Sequence, residues 1–352
     1  MASPHTILLL ASLPSLSIPH FLAPVIVSAA SSAHDHLRIV LFSRIFNAGA
    51  ISHTQNWENV QRLLTYVYVQ ATKVAHDMDK LLMQIDVLLK GVNDEESLPE
   101  DFGKGCEMVY RVSGDVIVAA LCPSLLEIPH RYVSAEHSES VTPLEPSEPA
   151  NLPYLLPVTV LGGTFDHLHA GHKILLSMAA WIASQKVIVG VTDAALLSSK
   201  SNAHVLESLE TRKSNVRSFL GLFKPELEYD IVTIDDVYGP TGWDPNIQGL
   251  IVSRETISGA DMIATHREKK QLPKLTTFII DVISHSSPNI TADDLELLRR
   301  TKMSSTSIRN WIAEREKTQQ QQELEESKNR NQEGKIKQVE RGEFGWIGPQ
   351  DA

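Results

Sequence analysis

The sequence predicts an α/β protein of two units, each built around a parallel sheet. Short apolar runs that read as buried strands alternate with stretches of helical spacing. A segment rich in proline and serine, residues 136–153, breaks that alternation near the middle of the chain. The 352 residues are 42% hydrophobic and 21% charged, ordinary globular values that let each half bury a core.

In chain order, Ile7–Ala11 and Leu37–Phe42 read as buried strands with a helical stretch between them. Residues 6–30 are apolar enough to raise the question of a secretion signal. No Lys or Arg precedes them, however, and Pro14, Pro19 and Pro24 interrupt them, so they are expected to be folded protein. Leu81, Leu82, Ile85, Leu88 and Leu89 recur at helical spacing, which predicts a helix over 57–91. Val116–Ala120 predicts a further strand. Residues 1–135 are thus expected to form a smaller α/β domain, followed by the linker.

The second unit, residues 154–316, starts on the strand Val158–Leu161. A loop and a helix through Ile174, Leu175, Met178 and Trp181 lead to the strand Val187–Val191. A helix over 206–222 precedes strands at Tyr229–Ile234, Gly249–Ser253 and Thr277–Val282. Strand, helix, strand, repeated, implies parallel strands with right-handed crossovers. Ligands in such sheets bind beyond the carboxyl ends of the strands. Residues 317–352 are charged and glutamine-rich, as expected of a solvated helix or a disordered tail.

The formal net charge of −11 argues against a nucleic-acid binder, which needs a basic face. No run is expected to span a bilayer. Cys106 and Cys122 fit neither a zinc site nor a disulfide framework, which suggests thiols in a reducing, cytoplasmic compartment.

The chemistry is concentrated in Gly162-Gly163-Thr164-Phe165-Asp166-His167-Leu168-His169-Ala170-Gly171-His172. The glycines directly follow a strand, where they allow a tight turn and close approach of backbone N–H groups to a ligand. The next helix begins near His169–His172 and offers unpaired N–H groups to an anion. His169 and His172 share one helical face and can donate to phosphate oxygens as charge builds. No third residue stands at the spacing of a zinc site, so no metal ligand set is expected.

This string resembles the nucleotidyltransferase superfamily, whose members carry G-T-F-D followed by H-x-G-H, and so implies a Rossmann-like domain. A second segment, Lys302-Met303-Ser304-Ser305-Thr306-Ser307-Ile308-Arg309, resembles the superfamily's S-S-T-x-x-R segment. Serine and threonine at a helix start are caps by default. The resemblance implies instead that Ser304, Ser305, Thr306 and Arg309 hold the distal phosphates.

Other segments narrow the family. Gly190–Asp193 followed by Leu196–Lys200, then Tyr238-Gly239-Pro240, then Val252–Thr256 with Gly259, look like the eukaryotic type of phosphopantetheine adenylyltransferase. The resemblance covers about residues 156–315 and is similar to the adenylyltransferase part of bifunctional coenzyme A synthases. It implies transfer of AMP from ATP, with Mg2+, to 4′-phosphopantetheine. His172, His169 and Lys200 would be catalytic, and Gly162, Gly163, Thr164, Phe165, Asp166, Gly171 and Arg254 would bind nucleotide or phosphate. Asp166 has a structural alternative, accepting backbone N–H groups to hold the turn. Glu210 and Arg212 are expected in a supporting helix or as a surface pair. No Gly-x-x-x-x-Gly-Lys-Ser/Thr loop occurs, so a separate dephospho-coenzyme A kinase is the expected partner. The rivals are a cytidylyltransferase making a CDP-alcohol and a non-catalytic nucleotide-binding paralogue.

Overall fold

The computed structural model describes residues 4–47, 49–92, 98–99, 101–116, 121–136, 152–193, 197, 200–280 and 304–342, with side chains as far as 329. The first unit holds strands β1 (Thr6–Ser12), β2 (His36–Phe42), β3 (Gln84–Lys90), β4 (Met108–Val112) and β5 (His130–Val133). Its helices are α1 (Ala23–Ser32), α2 (Trp57–Asp77) and the short α3 (Pro123–Leu126). The second unit holds β6 (Leu156–Gly163), β7 (Ala183–Thr192), β8 (Glu228–Ile234), β9 (Gly249–Ser253) and β10 (Thr276–Ile280). Helices α4 (Ala170–Ile182), α5 (Leu209–Phe223) and α6 (Ile257–Lys269) belong to it, and α7 (Ser305–Gly342) follows.

Among the described residues each sheet has five strands, in the orders β3-β2-β1-β4-β5 and β10-β9-β6-β7-β8. All pairings are parallel. Counted within its own unit, each sheet has the doubly wound order 3-2-1-4-5. This is the Rossmann-like fold expected of the second unit, and the first unit repeats its strand order. The crevice where the winding reverses lies between β1 and β4 in the first sheet and between β6 and β9 in the second.

Parallel strands covered on both faces need unbroken apolar runs. Ile7, Leu8, Leu9, Leu10 and Ala11 are accordingly all fully buried. The apolar start of the chain becomes β1 and α1, with Pro24 in the first turn of α1 where its missing N–H costs nothing. One continuous core runs from the first sheet through α2 and α4 into the second. A smaller core lies under α6 on the opposite face, around Val160, Leu250 and Ile263.

One sequence expectation needs correction. The helix predicted over 57–91 ends at Asp77, and Gln84–Lys90 is a strand. Its stop is a Schellman turn. The Lys80 N–H donates to the Ala75 carbonyl at 2.7 Å and the Asp79 N–H to the His76 carbonyl at 3.0 Å. Asp79 takes the left-handed position with φ 56°, where glycine usually signals the end. Of the predicted strand Val116–Ala120 only Val116 is described, 78% exposed and beyond the end of strand β4. Residues 117–120 lie outside the described residues. The α/β domain expected ahead of the linker is present, built on a parallel sheet of its own.

The linker segment 137–151, the end of the predicted strand at 281–282, and Leu196, Ser198, Ser199, Lys302 and Met303 lie outside the described residues. The polar segment after residue 313 is helical as far as Gly342, continuing α7 from its first turns, which bury Ile308 and Ala313. Among the described residues, no helix is long and apolar enough to cross a membrane.

Candidate active site

Strand β6 delivers Gly162 and Gly163 to the crevice between β6 and β9. The side chain of Ile234, at the end of β8, lies across the glycine strand ends. A Cβ on Gly190 would stand 2.9 Å from its Cγ2, and one on Gly239 2.7 Å away. Gly239 also has φ +45°, so both space and backbone call for glycine there. These bare strand ends leave the rim of the sheet low beneath the loop that follows.

That loop is held from three sides. Arg212 of α5, 1% exposed, donates to the carbonyls of Thr164 at 2.8 Å and Thr192 at 2.9 Å, and to that of Glu207 at 3.2 Å. Of the two roles considered for Arg212, the structure selects the supporting one, while Glu210 is exposed. Asp166 is fully buried and accepts from the Glu207 N–H at 2.9 Å. Its other oxygen takes Arg309 Nη1 at 2.6 Å, and its carbonyl takes the Ser305 hydroxyl at 2.9 Å. Phe165 and His167, on either side of Asp166, both adopt left-handed backbone, with φ 52° and 45°.

The arrangement alters the picture of Arg309. The guanidinium is 1% exposed, with Nε on the Ser201 carbonyl at 2.9 Å and Nη2 on Thr306 Oγ1 at 3.1 Å. It is spent on protein acceptors and fastens the start of α7 to the loop. Ser304 acts as a helix cap, accepting from the Ser307 N–H at 3.2 Å. Asp166 takes the turn-holding role that was its structural alternative.

Helix α4 begins at Ala170, and its first N–H groups take no side-chain cap. The His169 and His172 rings stack with centroids 3.8 Å apart, and His172 leans on Phe165 at 5.3 Å. A Cβ on Gly171 would stand 3.2 Å from the His169 ring, so the residue between the histidines must be small. Both Nδ1 atoms are buried without a hydrogen-bond partner. Burial, and then the neighbouring His172, pulls the His169 imidazole well below the ordinary histidine range. Burial lowers that of His172 to about 3. Both rings are therefore neutral at neutral pH, each with one N–H to donate.

Lys200 is exposed in the loop after β7, one residue before the carbonyl that holds Arg309. Arg254 is exposed in the turn after β9. The two thus stand at the rim on either side of β6. Two residues with firm roles escaped sequence reasoning. Glu207 accepts from the His167 N–H at 2.7 Å, and Lys173, next to His172, is 3% exposed. A lysine opening the apolar run Ile174-Leu175-Leu176 was the one available hint. Asp166, His167 and Glu207 are close enough to consider as metal ligands. Their carboxylates are already engaged by Arg309 and by backbone N–H groups.

Asp166→Ala should cost about 3–5 kcal/mol of unfolding free energy, because it strands the buried Arg309 charge. Urea titration would read this, and a loss below about 1 kcal/mol, the scale of an exposed pair, would count against it. The histidines predict a pH dependence. A histidine with a depressed folded pKa binds fewer protons folded than unfolded, so stability falls as pH drops below the unfolded value of 6.5. The urea midpoint should decline between pH 7 and pH 5, and His172→Gln should lessen that decline. An equal decline in the variant would contradict the neutral assignment.

Comparison with known proteins agrees with this geometry. A family model described as cytidylyltransferase-like matches residues 160–311. An uncharacterised protein of Schizosaccharomyces pombe is 42% identical over 156 residues, which is 44% of this chain and 48% of that protein. The phosphopantetheine adenylyltransferase of Saccharomyces cerevisiae is 41% identical over 155 residues, 44% of this chain and 48% of its own. This chain therefore matches about half the length of each fungal relative. The phosphopantetheine adenylyltransferase of Pyrobaculum aerophilum is 36% identical over 124 residues, 79% of its length. Residues of the second unit, from the glycine turn of β6 to the start of α7, thus carry the relationship, and the chain belongs to the phosphopantetheine adenylyltransferase family.

Proposed function

We propose that this chain transfers the AMP moiety of ATP to 4′-phosphopantetheine, giving dephospho-coenzyme A and pyrophosphate. One observation carries the reading. The uncapped start of α4, with its two neutral, stacked histidines, opens beside the glycine turn at the crevice of the second sheet. Such a site suits the phosphates of a nucleotide.

An oxygen of the pantetheine phosphate attacks the α-phosphorus in line. The bond from that phosphorus to the bridging oxygen breaks, and pyrophosphate leaves. No covalent intermediate on the protein is needed, so catalysis is positioning plus charge stabilisation. His172 donates to the α-phosphate, His169 steadies the triphosphate, and Thr164 contacts a phosphate. Lys200 and Arg254 hold the substrates' phosphates from the rim. Ser305, Thr306 and the first N–H groups of α7 take the departing pyrophosphate, while Arg309 keeps that helix start in place. Mg2+ enters as MgATP, because the carboxylates nearest the loop are committed to protein donors.

The product then passes to a dephospho-coenzyme A kinase. A cytoplasmic setting suits the two thiols, Cys106 and Cys122, which stand unpaired.

Purified protein with MgATP and phosphopantetheine should release pyrophosphate and form dephospho-coenzyme A, and CTP should substitute poorly. Preference for CTP and an alcohol phosphate would point to a cytidylyltransferase, and ATP binding without turnover to a non-catalytic paralogue. His172→Ala should lower kcat by about 10²-fold or more, the scale of losing a transition-state donor. A near-normal turnover number would remove His172 from the chemistry. Lys200→Ala should raise KM for phosphopantetheine more than KM for ATP, and the opposite order would move Lys200 to the nucleotide side.

A further inference from the structure

Helix α4, which carries His172 in its first turn, is gripped at both ends by the first unit. At its start, Lys173 turns away from the crevice and reaches strand β3. Its ammonium meets Asp86 Oδ1 at 2.6 Å, the Ile85 carbonyl at 2.8 Å and Gln84 Oε1 at 3.3 Å. An ammonium has three N–H donors, and one strand supplies acceptors for all of them. Asp86 is in turn held by His36 Nε2 at 2.7 Å. Burial alone would raise the Asp86 carboxyl, but Lys173 and His36 together hold it below the usual carboxylate range.

At the far end of α4, Trp181 stacks on His53, with centroids 3.7 Å apart and planes 3° from parallel. His53 Nδ1 donates to the Trp181 carbonyl at 2.6 Å, and Trp181 Nε1 returns a bond to the His53 carbonyl at 3.2 Å. The first unit also reaches α7, the other helix whose start borders the crevice. Asp79 accepts from Trp311 Nε1 at 3.1 Å and pairs with Arg315.

We infer that the first unit is a positioning element of the active site, in which Asp86, acting through Lys173, fixes the height and rotation of the helix that carries His169 and His172. The inference rests on the adenylyltransferase reading. A buried ion pair contributes little to stability compared with apolar residues of the same volume. What it does supply is a directional constraint. The first turn of α4 cannot slide or rotate without leaving a buried ammonium short of acceptors. His172 is the adjacent residue, so any such shift moves its N–H relative to the α-phosphate. Asp86 and Lys173 touch no substrate in this arrangement and are positioning residues.

Asp86→Ala alone strands the Lys173 charge and risks unfolding. The decisive variant is therefore the full-length double substitution Asp86→Leu with Lys173→Met, which replaces the pair with apolar volume. Its urea midpoint should stay close to wild type. Its kcat should fall by about tenfold or more, on the scale of a small displacement of a catalytic group. KM for ATP should change by no more than about twofold, as expected when only a transition-state contact is weakened. Amide hydrogen exchange of peptides covering residues 168–175 should accelerate. A folded double variant with wild-type kcat and unchanged exchange overturns the positioning role. If wild-type protein fails to adenylylate phosphopantetheine, the substrate reading falls instead. The exchange comparison then decides the positioning role on its own, with faster exchange supporting it and unchanged exchange refuting it.

Discussion

The contact between Asp166 and Arg309 organises the ligand end of the second sheet. The two residues are 143 positions apart in the chain and essentially without solvent exposure. Removing either leaves a buried charge without a partner, which makes the pair an all-or-none junction. Asp166 also sits between two non-glycine residues in left-handed backbone, a conformation that costs about 1–3 kcal/mol at each position unless the surroundings hold it. The bonds from Glu207, Ser305 and Arg309 supply that hold. The shape of the loop and the seat of α7 are therefore one feature, and the uncapped start of α4 follows from it.

Two sheets of identical strand order offer a comparison within one molecule. In the second, the strand at the crevice ends on glycines and an uncapped helix. In the first, the equivalent place after β1 is already filled. The Ser12 N–H donates to the Asp115 carboxylate at 2.7 Å. A carboxylate at that point takes a backbone donor a phosphate would use and repels the phosphate besides. In the proposed reading the same topology gives one anion site and one place where a carboxylate stands instead, and side chains make the difference.

Much of this was legible in the sequence because its period and chemistry are local. The strands of the second unit are unbroken apolar runs. The glycine turn and the histidines follow in a few residues. The parts that escaped are those set by distant partners. The apolar residues of β3 follow those of α2 after only a short turn, and the stop at Asp79 carries no glycine. Strand β5 is an edge, and His130-Arg131-Tyr132-Val133 has no apolar run to notice. Arg309 reads as a phosphate ligand from its place in a motif, and the sequence gives no sign of its ion pair with Asp166, 143 residues away. Nothing in the sequence names the acceptors of Lys173, which the docked first unit supplies.

The electrostatics resolve an apparent conflict between the chain's charge and its proposed substrates. A protein with net charge −11 would repel a triphosphate at long range. Binding must then come from groups within a few ångströms, where burial strengthens each interaction. Arg309 and Lys173 are each matched by a carboxylate and add little net field. Arg212 differs, because its bonds under the loop go to carbonyls. Its guanidinium lies under the turn at Thr164, with the carboxylates of Asp166, Glu207 and Asp193 close enough to act on its charge. The neutral histidines complete this design. As imidazolium ions they would bind ground-state phosphate strongly throughout the cycle. In the proposed reaction, hydrogen bonds from neutral donors would strengthen most when charge develops on the α-phosphate oxygens, which is the difference that would raise kcat and not only affinity.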